Sequence, residues 1–451
     1  MAAPPRRRFR RSASLAAAST GLLTLAACGG ISFADDSDTF VTMGFGAGDA
    51  LGTVRLERAT EAVAPLDVQV NEGQFDEQQF LSAVAADDPP SVVRMDRALI
   101  GGYAARGALM PLTECVDQQG IDLDEYRPGA IDEATLDGTL YGLPDSYDNR
   151  VLLVNREVVA EATGSDTVDT SDWAGLMDFA ESLQTRDGAR LTRIGFDPKI
   201  PEFFPLWVEA NGGQLISEDG RTARLDSPEV VEALEYAVSL IDAQGGWGRF
   251  KALRDSFDQF GANNQIARDQ VGAYPMEDWY VNVLAGTSPD VDLGTQPFLD
   301  REGEPINYVS GLSWAIPKGS PHIDEACQFI ATMTSAESWV EAARAKAEEV
   351  RATGAPYTGD YTGNREADRI IENEIWEPTG NDAFDEATRQ LYAVQDDSFS
   401  VPANAAGTEF RKAWQSAVNR VLSGDQEPEE ALRQAQDLAQ TALDIANQGE
   451  E

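Results

Sequence analysis

The sequence predicts an α/β fold. Strand and helix patterns alternate over residues 40–107, and this alternation is typical of a sheet covered by helices. Beyond His322 the pattern is almost entirely helical. The 451 residues are also enough for two or three domains.

The alternation begins with a strand at Phe40–Phe45 and a glycine-rich turn ending at Asp49. Gly44-x-Gly46-x-x-Asp49 lacks the third glycine of a dinucleotide loop, so we interpret it as a strand-to-helix turn. The elements that follow are predicted in this order: helix Val54–Val63, strand Leu66–Val70, helix Phe75–Ala86, strand Ser91–Met95 and helix Leu99–Gly107.

The middle of the chain carries clear turn and cap patterns. Asp137-Gly138 indicates a hairpin, and Asn211-Gly212-Gly213 a tight turn. Asp226-Ser227-Pro228 predicts a helix start with proline in the first turn, and Val230, Leu234 and Ile241 share one face of that helix. The remaining predicted elements are strands Val151–Val154, Val271–Tyr274 and Gly311–Ile316 and helices Ser171–Leu183 and Glu429–Ala446.

Composition excludes several functions. The chain has 77 acidic and 35 basic residues, so it should repel nucleic acid. It has one histidine, His322, no Cys/His cluster with metal-ligand spacing and no GxxxxGK[ST] loop. We therefore expect no metal, no cofactor and no enzymatic activity, although a glycosidase needs only two carboxylates and stays an open alternative.

The N-terminus has the pattern of an export signal. Five arginines precede a 15-residue apolar segment, Ala13–Ala27, which is shorter than the roughly 20 residues that span a bilayer. Leu25-Ala26-Ala27-Cys28 resembles the lipobox of bacterial lipoproteins. The resemblance implies a signal peptide over residues 1–27, a lipid on Cys28 and an anchored tether over residues 28–39. Whether export follows the general or the twin-arginine route stays open.

Aromatic residues stand beside polar ones in four segments. Indole and phenyl faces cover the apolar face of a sugar ring, while carboxylates and amides bind its hydroxyls. A carbohydrate pocket is therefore predicted, although any single tryptophan could equally be a core residue. The four segments are Asp145–Asn149 with Tyr147, Phe203–Trp207 with Phe204, Glu277–Tyr280 with Trp279, and Gly311–Trp314.

Five segments resemble extracellular solute-binding proteins of the maltose-binding type, the receptors of ABC importers. They occur in the family's order over most of the chain. They are SVVRMDRALIGGYAARGALMPL (Ser91–Leu112), LYGLPDSYDNRVLLVNREVV (Leu140–Val159), Asn211–Ile241, Gly311–Glu337 and Phe410–Gln436.

The resemblance implies a two-lobe periplasmic-binding-protein-like fold with crossing strands and a helical C-terminal part. The first lobe would comprise residues 40–144 and 296–333, and the second residues 145–295 and 334–446. Cys115 and Cys327 would then both lie in the first lobe. We predict that they form a disulfide, although the residues alone leave two buried thiols equally open.

The resemblance also implies site residues. Asp49, Asp96, Arg97 and Asp148 would bind hydroxyls, and Trp279 would stack on a sugar. It places Phe203, Phe204 and Trp207 near another aromatic contact, and the aromatic–polar segments described above supply the candidates Tyr147, Tyr280 and Trp314. Two departures argue against maltose: Ala50 replaces a basic residue, and Arg411 or Lys412, beside Phe410, replaces an aromatic one.

The sequence therefore predicts a lipid-anchored, non-enzymatic receptor on the outer face of the cell membrane. It would bind a mono- or oligosaccharide by hinge closure, deliver it to an ABC permease, bind no nucleic acid and act as a monomer. The alternatives are the same scaffold binding a polyol or short peptide, and a cell-surface glycosidase.

Overall fold

The computed structural model describes residues 38–448. The predicted signal peptide and Cys28 lie outside the described residues. Within that range no helix is both long enough and apolar enough to cross a membrane.

The strands, labelled in chain order, are β1 Thr39–Met43, β2 Asp67–Asn71, β3 Val92–Asp96, β4 Thr135–Leu136, β5 Thr139–Leu140, β6 Leu143–Pro144, β7 Arg150–Asn155, β8 Thr185–Asp187, β9 Arg190–Phe196, β10 Val271–Glu277, β11 Leu293–Gln296, β12 Phe298–Leu299, β13 Pro305–Tyr308, β14 Leu312–Ala315 and β15 Ser398–Phe399.

The α-helices are α1 Ala50–Ala62, α2 Glu77–Ala85, α3 Ile100–Ala105, α4 Thr113–Gln119, α5 Pro128–Glu133, α6 Arg156–Thr163, α7 Trp173–Leu183, α8 Phe204–Ala210, α9 Pro228–Ala243, α10 Trp247–Arg254, α11 Trp279–Thr287, α12 Ile323–Thr334, α13 Ala336–Thr353, α14 Arg365–Ile370, α15 Asp382–Ala393, α16 Thr408–Leu422 and α17 Pro428–Gln448.

Local sequence explains several boundaries. Asp49 caps α1, since its Oδ1 accepts the N–H of Gly52 at 2.8 Å. The helix therefore begins four residues before the predicted Val54.

The Asp137-Gly138 turn has the backbone that a two-residue hairpin requires: both residues have positive φ, 48° and 76°. The predicted hairpin is thus confirmed as β4–β5.

Two five-stranded sheets define two lobes. The first sheet has the order β2-β1-β3-β14-β6 and the second the order β11-β7-β10-β9-β8. Helices packed on each sheet complete an α/β lobe with its own buried core. The predicted α/β, two-lobe fold class is confirmed.

The chain crosses between the lobes in segments that pair with each other. It leaves the first sheet after β6 and enters the second at β7, and it returns at β14. Asp148 and Ser310, one from each crossing, form a bridge with backbone hydrogen bonds of 3.0 and 3.4 Å. Phe298 packs in the second core, so the return to the first sheet comes later than the predicted residue 296.

Two C-terminal helices bring the second lobe against the first. α16 and α17 pack on each other and on α9, while the segment before α16 meets α3. A Cβ at Gly101 would lie 2.6 Å from the Asn404 carbonyl oxygen, so glycine permits this close approach. The contact holds the start of α16 opposite the end of β3.

Candidate functional site

A cavity of ≈ 240 Å³ lies between the lobes, and both contribute to its walls. It adjoins the end of β3, in keeping with the rule that sites of α/β sheets lie beyond the carboxyl ends of strands. Its charged and aromatic lining residues are Asp96, Glu133, Arg150, Glu202, Phe203, Glu277, Tyr308, Phe410, Arg411 and Trp414. We refer to it as the interlobe cavity.

One ion pair spans this cavity. Asp96 is the last residue of β3, and its Oδ1 accepts the N–H of Ala98 at 3.0 Å. Its Oδ2 accepts a hydrogen bond of 2.7 Å from Nη1 of Arg411 on α16. Their side chains are 38% and 31% exposed, respectively. Both charges are therefore fixed by the fold and still accessible to a ligand.

Arg150 organises the wall on the second-lobe side. Its Nη2 donates to Glu277 Oε1 at 2.7 Å and to Ser310 Oγ at 2.8 Å. Its guanidinium lies over the Tyr308 ring, 4.6 Å from the centroid, and 5.1 Å from that of Phe203. One buried side chain thus positions a carboxylate, a hydroxyl and two aromatic rings around the cavity.

Glu133, at the end of α5, is held by a residue behind the cavity. Arg97 is completely buried, and its Nε donates to Glu133 Oε2 at 2.8 Å. Arg97 also donates to the Ser146 carbonyl in the crossing segment. We therefore assign Arg97 to positioning Glu133, because Arg97 is not among the residues that line the cavity.

Burial shifts the pKa of three carboxyl groups here. Burial raises the pKa of Glu133 to about 7, although Arg97 opposes the shift. Burial, helped by the charge of Glu277, raises the pKa of Asp148 to about 6. Burial and the neighbouring Asp148 raise the pKa of Asp278 well above its usual range. Buried carboxyls without enough compensating charge favour the neutral form.

Two of the predicted ligand residues, Asp96 and Phe203, line the interlobe cavity. Two more do not line it: Asp148, which is half-buried in the crossing segment, and Arg97, which is buried and positions Glu133. Trp279 is half-buried, donates Nε1 to Glu277 Oε2 at 2.8 Å and stacks on Phe260 at 5.9 Å. It touches a cavity residue without lining the cavity.

The structure does not bring the other predicted residues to the cavity. Asp49 is exposed, and its carboxylate caps α1. Five aromatic residues are completely buried. Phe204, Trp207, Tyr280 and Trp314 pack in the lobe cores, and Tyr147, in the crossing segment, packs in a small cluster with Ala130 and Val309.

Hydrogen bonds fix several of these buried rings. Trp207 donates Nε1 to the Pro198 carbonyl at 2.8 Å, and Trp314 donates Nε1 to Asp145 at 3.0 Å. The Tyr147 hydroxyl lies 2.6 Å from Ser398 Oγ. None of these buried residues lines the interlobe cavity.

Sequence reasoning missed several lining residues. Glu133 and Tyr308 lie in none of the segments singled out above, and Arg150 and Trp414 lie inside segments that resemble the family without being predicted to bind ligand. Glu277 lies inside the predicted aromatic segment Glu277–Tyr280, in which Trp279 and Tyr280 are the predicted ligand residues. Phe410 and Arg411 stand where the sequence departs from the maltose-binding pattern, and this departure is the signal in the sequence that marks their position.

Comparisons with known proteins agree with this architecture. The model of the bacterial extracellular solute-binding protein family matches residues 56–348. The diacetylchitobiose-binding protein of Streptomyces coelicolor is 24% identical over 287 residues, 61% of this chain and 63% of that protein. The arabinooligosaccharide-binding protein of Halalkalibacterium halodurans is 26% identical over 133 residues, 30% of this chain and 28% of that protein. The match thus spans less than two thirds of either relative.

A solved structure shares the fold over most of its length. A protein described as CpMnBP1 with mannotriose bound has a TM-score of 0.72 and 22% identity. The alignment covers 89% of this chain and 99% of that one. At this identity the likeness shows the fold alone.

Proposed function

The chain belongs to the bacterial extracellular solute-binding protein family, and we propose that it binds a sugar or oligosaccharide in the interlobe cavity and releases it unchanged to an ABC permease. One observation carries this proposal: carboxylates and guanidiniums from both lobes meet aromatic rings in a single cavity. Hydroxyl groups both donate to carboxylates and accept from guanidiniums, and the aromatic rings offer an apolar face.

The relatives support the same class of ligand. Two are named for binding diacetylchitobiose and arabinooligosaccharides, and the structural neighbour holds mannotriose. A ligand touching Asp96 on the first lobe and Phe203 or Glu277 on the second would contact both walls. Such a ligand stabilises the closed arrangement of the lobes over any open one.

The other parts of the predicted receptor belong to the same proposal. We propose lipidation at Cys28, a monomeric protein and the lobe boundaries given above, with the return crossing moved to Ser310–Leu312. Family membership supports a location outside the cytoplasm. Mass spectrometry of the N-terminal peptide from membranes tests the anchor; an unmodified Cys28 at the start of the mature chain would contradict it.

Asp96→Asn should weaken sugar binding at least tenfold. A hydrogen bond to a charged group contributes ~1.5–3 kcal/mol, and ~1.4 kcal/mol changes a dissociation constant tenfold. Titration calorimetry with mannotriose, diacetylchitobiose and arabinotriose measures the effect on whichever sugar binds the wild-type protein.

Glu366→Gln is the matched control for this change. Glu366 pairs with Arg369 on the same helix, α14, at 2.8 Å, and the two side chains are 44% and 55% exposed, but neither lines the interlobe cavity. Its affinity should equal that of the wild type. Equal losses in both variants, or none in Asp96→Asn, would contradict binding in this cavity.

A further inference from the structure

A second polar cavity, of ≈ 340 Å³, lies in the second lobe beside the interlobe cavity. Glu202 lines both cavities, so they are adjacent parts of one surface. Its other charged lining residues are Asp197, Lys199, Arg254 and Asp255, and Phe257 provides an apolar side. We refer to it as the Lys199 cavity.

The backbone around Lys199 is held in an unusual conformation. Lys199 follows β9 with φ of +54°, in the left-handed region that a lysine seldom occupies. Its N–H donates to Asp197 Oδ1 at 2.8 Å, and the Asp197 side chain is almost completely buried. This local bond fixes the direction in which the lysine side chain leaves the chain.

The Lys199 ammonium has no carboxylate partner among residues 38–448. The contact that the structure gives it is the Phe203 ring, whose centroid lies 5.9 Å from Nζ, and Phe203 lines the interlobe cavity. Burial lowers the pKa of this lysine, although the charge of Asp197 opposes the shift. The Lys199 cavity is therefore lined by a donor that has no ion-pair partner among the described residues and lies near an aromatic ring of the interlobe cavity.

Arg254, the other cation that lines the Lys199 cavity, already has hydrogen-bond partners. Arg254 donates Nη2 to Glu202 at 2.8 Å and Nη1 to the Ile200 carbonyl at 3.1 Å. The Lys199 cavity has three carboxylates, from Asp197, Glu202 and Asp255, against two cations, and the interlobe cavity has four against two. This excess of negative charge disfavours an acidic sugar or phosphate.

The volumes of the two cavities indicate a ligand longer than one sugar unit. Small-ligand sites usually measure ~300–1,000 Å³, and the interlobe cavity alone falls below that range while the pair falls within it. Resting on the proposed function, we propose that the ligand is an uncharged oligosaccharide of at least two units. One unit occupies the interlobe cavity, and the next occupies the Lys199 cavity, where Lys199 donates to a hydroxyl.

The test compares ligand lengths in two matched variants. Lys199→Asn removes the ammonium and keeps a residue that tolerates positive φ. Asp87→Asn is the control, because Asp87 is also left-handed, with φ of 59°, but is exposed on the first lobe. Calorimetry uses three probe series: mannose to mannotriose, N-acetylglucosamine to diacetylchitobiose, and arabinose to arabinotriose.

In the series that binds, the wild type and Asp87→Asn should bind the disaccharide at least tenfold more tightly than the monosaccharide. Lys199→Asn should lose most of that preference while binding the monosaccharide within about twofold of the wild type. Equal affinity for both lengths in the wild type, or an undiminished preference in Lys199→Asn, would overturn the second subsite and leave the proposed function standing. Absence of binding in all three series would instead overturn the proposed function and the subsite together.

Discussion

Asp145→Asn should lower the free energy of unfolding by ~3–5 kcal/mol, because removing one member of a buried ion pair leaves the other uncompensated. Asp145 is completely buried in the segment that leaves the first sheet. Its carboxylate accepts from Arg55 Nη1 at 2.7 Å, from Arg94 Nε and from Trp314 Nε1 at 3.0 Å. Urea unfolding of the wild type and variant measures the difference.

The loss of stability caused by Asp145→Asn should become smaller as the pH falls. Burial alone would raise the pKa of Asp145, but the guanidiniums of Arg94 and Arg55 outweigh it, and the net pKa is lowered. A carboxyl group with a lowered folded-state pKa stabilises the fold above about pH 4, and that stability is lost as the pH falls through the folded-state value. The deficit of Asp145→Asn should therefore shrink in strong acid.

Glu366→Gln is again the control, since exposed ion pairs such as Glu366–Arg369 contribute at most ~1 kcal/mol. A loss of that small size in Asp145→Asn, or a deficit that grows with acidification, would contradict the role assigned to Asp145.

Removing the disulfide between Cys115 and Cys327 should lower the free energy of unfolding by ~2–5 kcal/mol. Cys115 on α4 and Cys327 on α12 are bonded in the structure, with Cα atoms 5.4 Å apart and 212 residues apart in sequence. In the chain-entropy model, a loop of this length gives ~5 kcal/mol, and measured values usually fall between ~2 and 5 kcal/mol. We expect the Cys115→Ala/Cys327→Ala variant to unfold at correspondingly lower urea concentration.

Sugar affinity should stay unchanged in this double variant. Both cysteines belong to the core of the first lobe, and the bond therefore does not link the two lobes. Alkylation of both thiols in unreduced, unfolded wild-type protein would contradict the disulfide. A large loss of affinity in a folded double variant would contradict its confinement to one lobe.

The fold could be predicted where local chemistry restricts the backbone. Asp137-Gly138 specified a turn because both residues must adopt positive φ, and Pro228 fixed the first turn of α9 because its φ is preset. Strands β1, β3 and β14 of the first sheet could be predicted from apolar runs bounded by glycine or proline. These features depend on neighbours in sequence, so the sequence alone contains them.

The candidate site could be predicted only in part. Asp96 follows a predicted strand, and its place beyond the sheet edge follows from that. Trp207 and Trp314 also stand beside polar residues, but the same pattern fits a core indole that needs one hydrogen-bond acceptor. Glu133, Arg150 and Arg411 come together through pairing of distant segments, which no local pattern specifies.

Hydrogen–deuterium exchange with the bound sugar tests the central claim most directly. The wild-type protein would be saturated with whichever of mannotriose, diacetylchitobiose or arabinotriose binds it and compared with the free protein. We predict simultaneous protection of peptides on both walls of the interlobe cavity: the end of β3 at Asp96–Ala98, and Glu277 with the start of α16 at Phe410–Arg411. Protection confined to one lobe, or located away from this cavity, would contradict binding between the lobes.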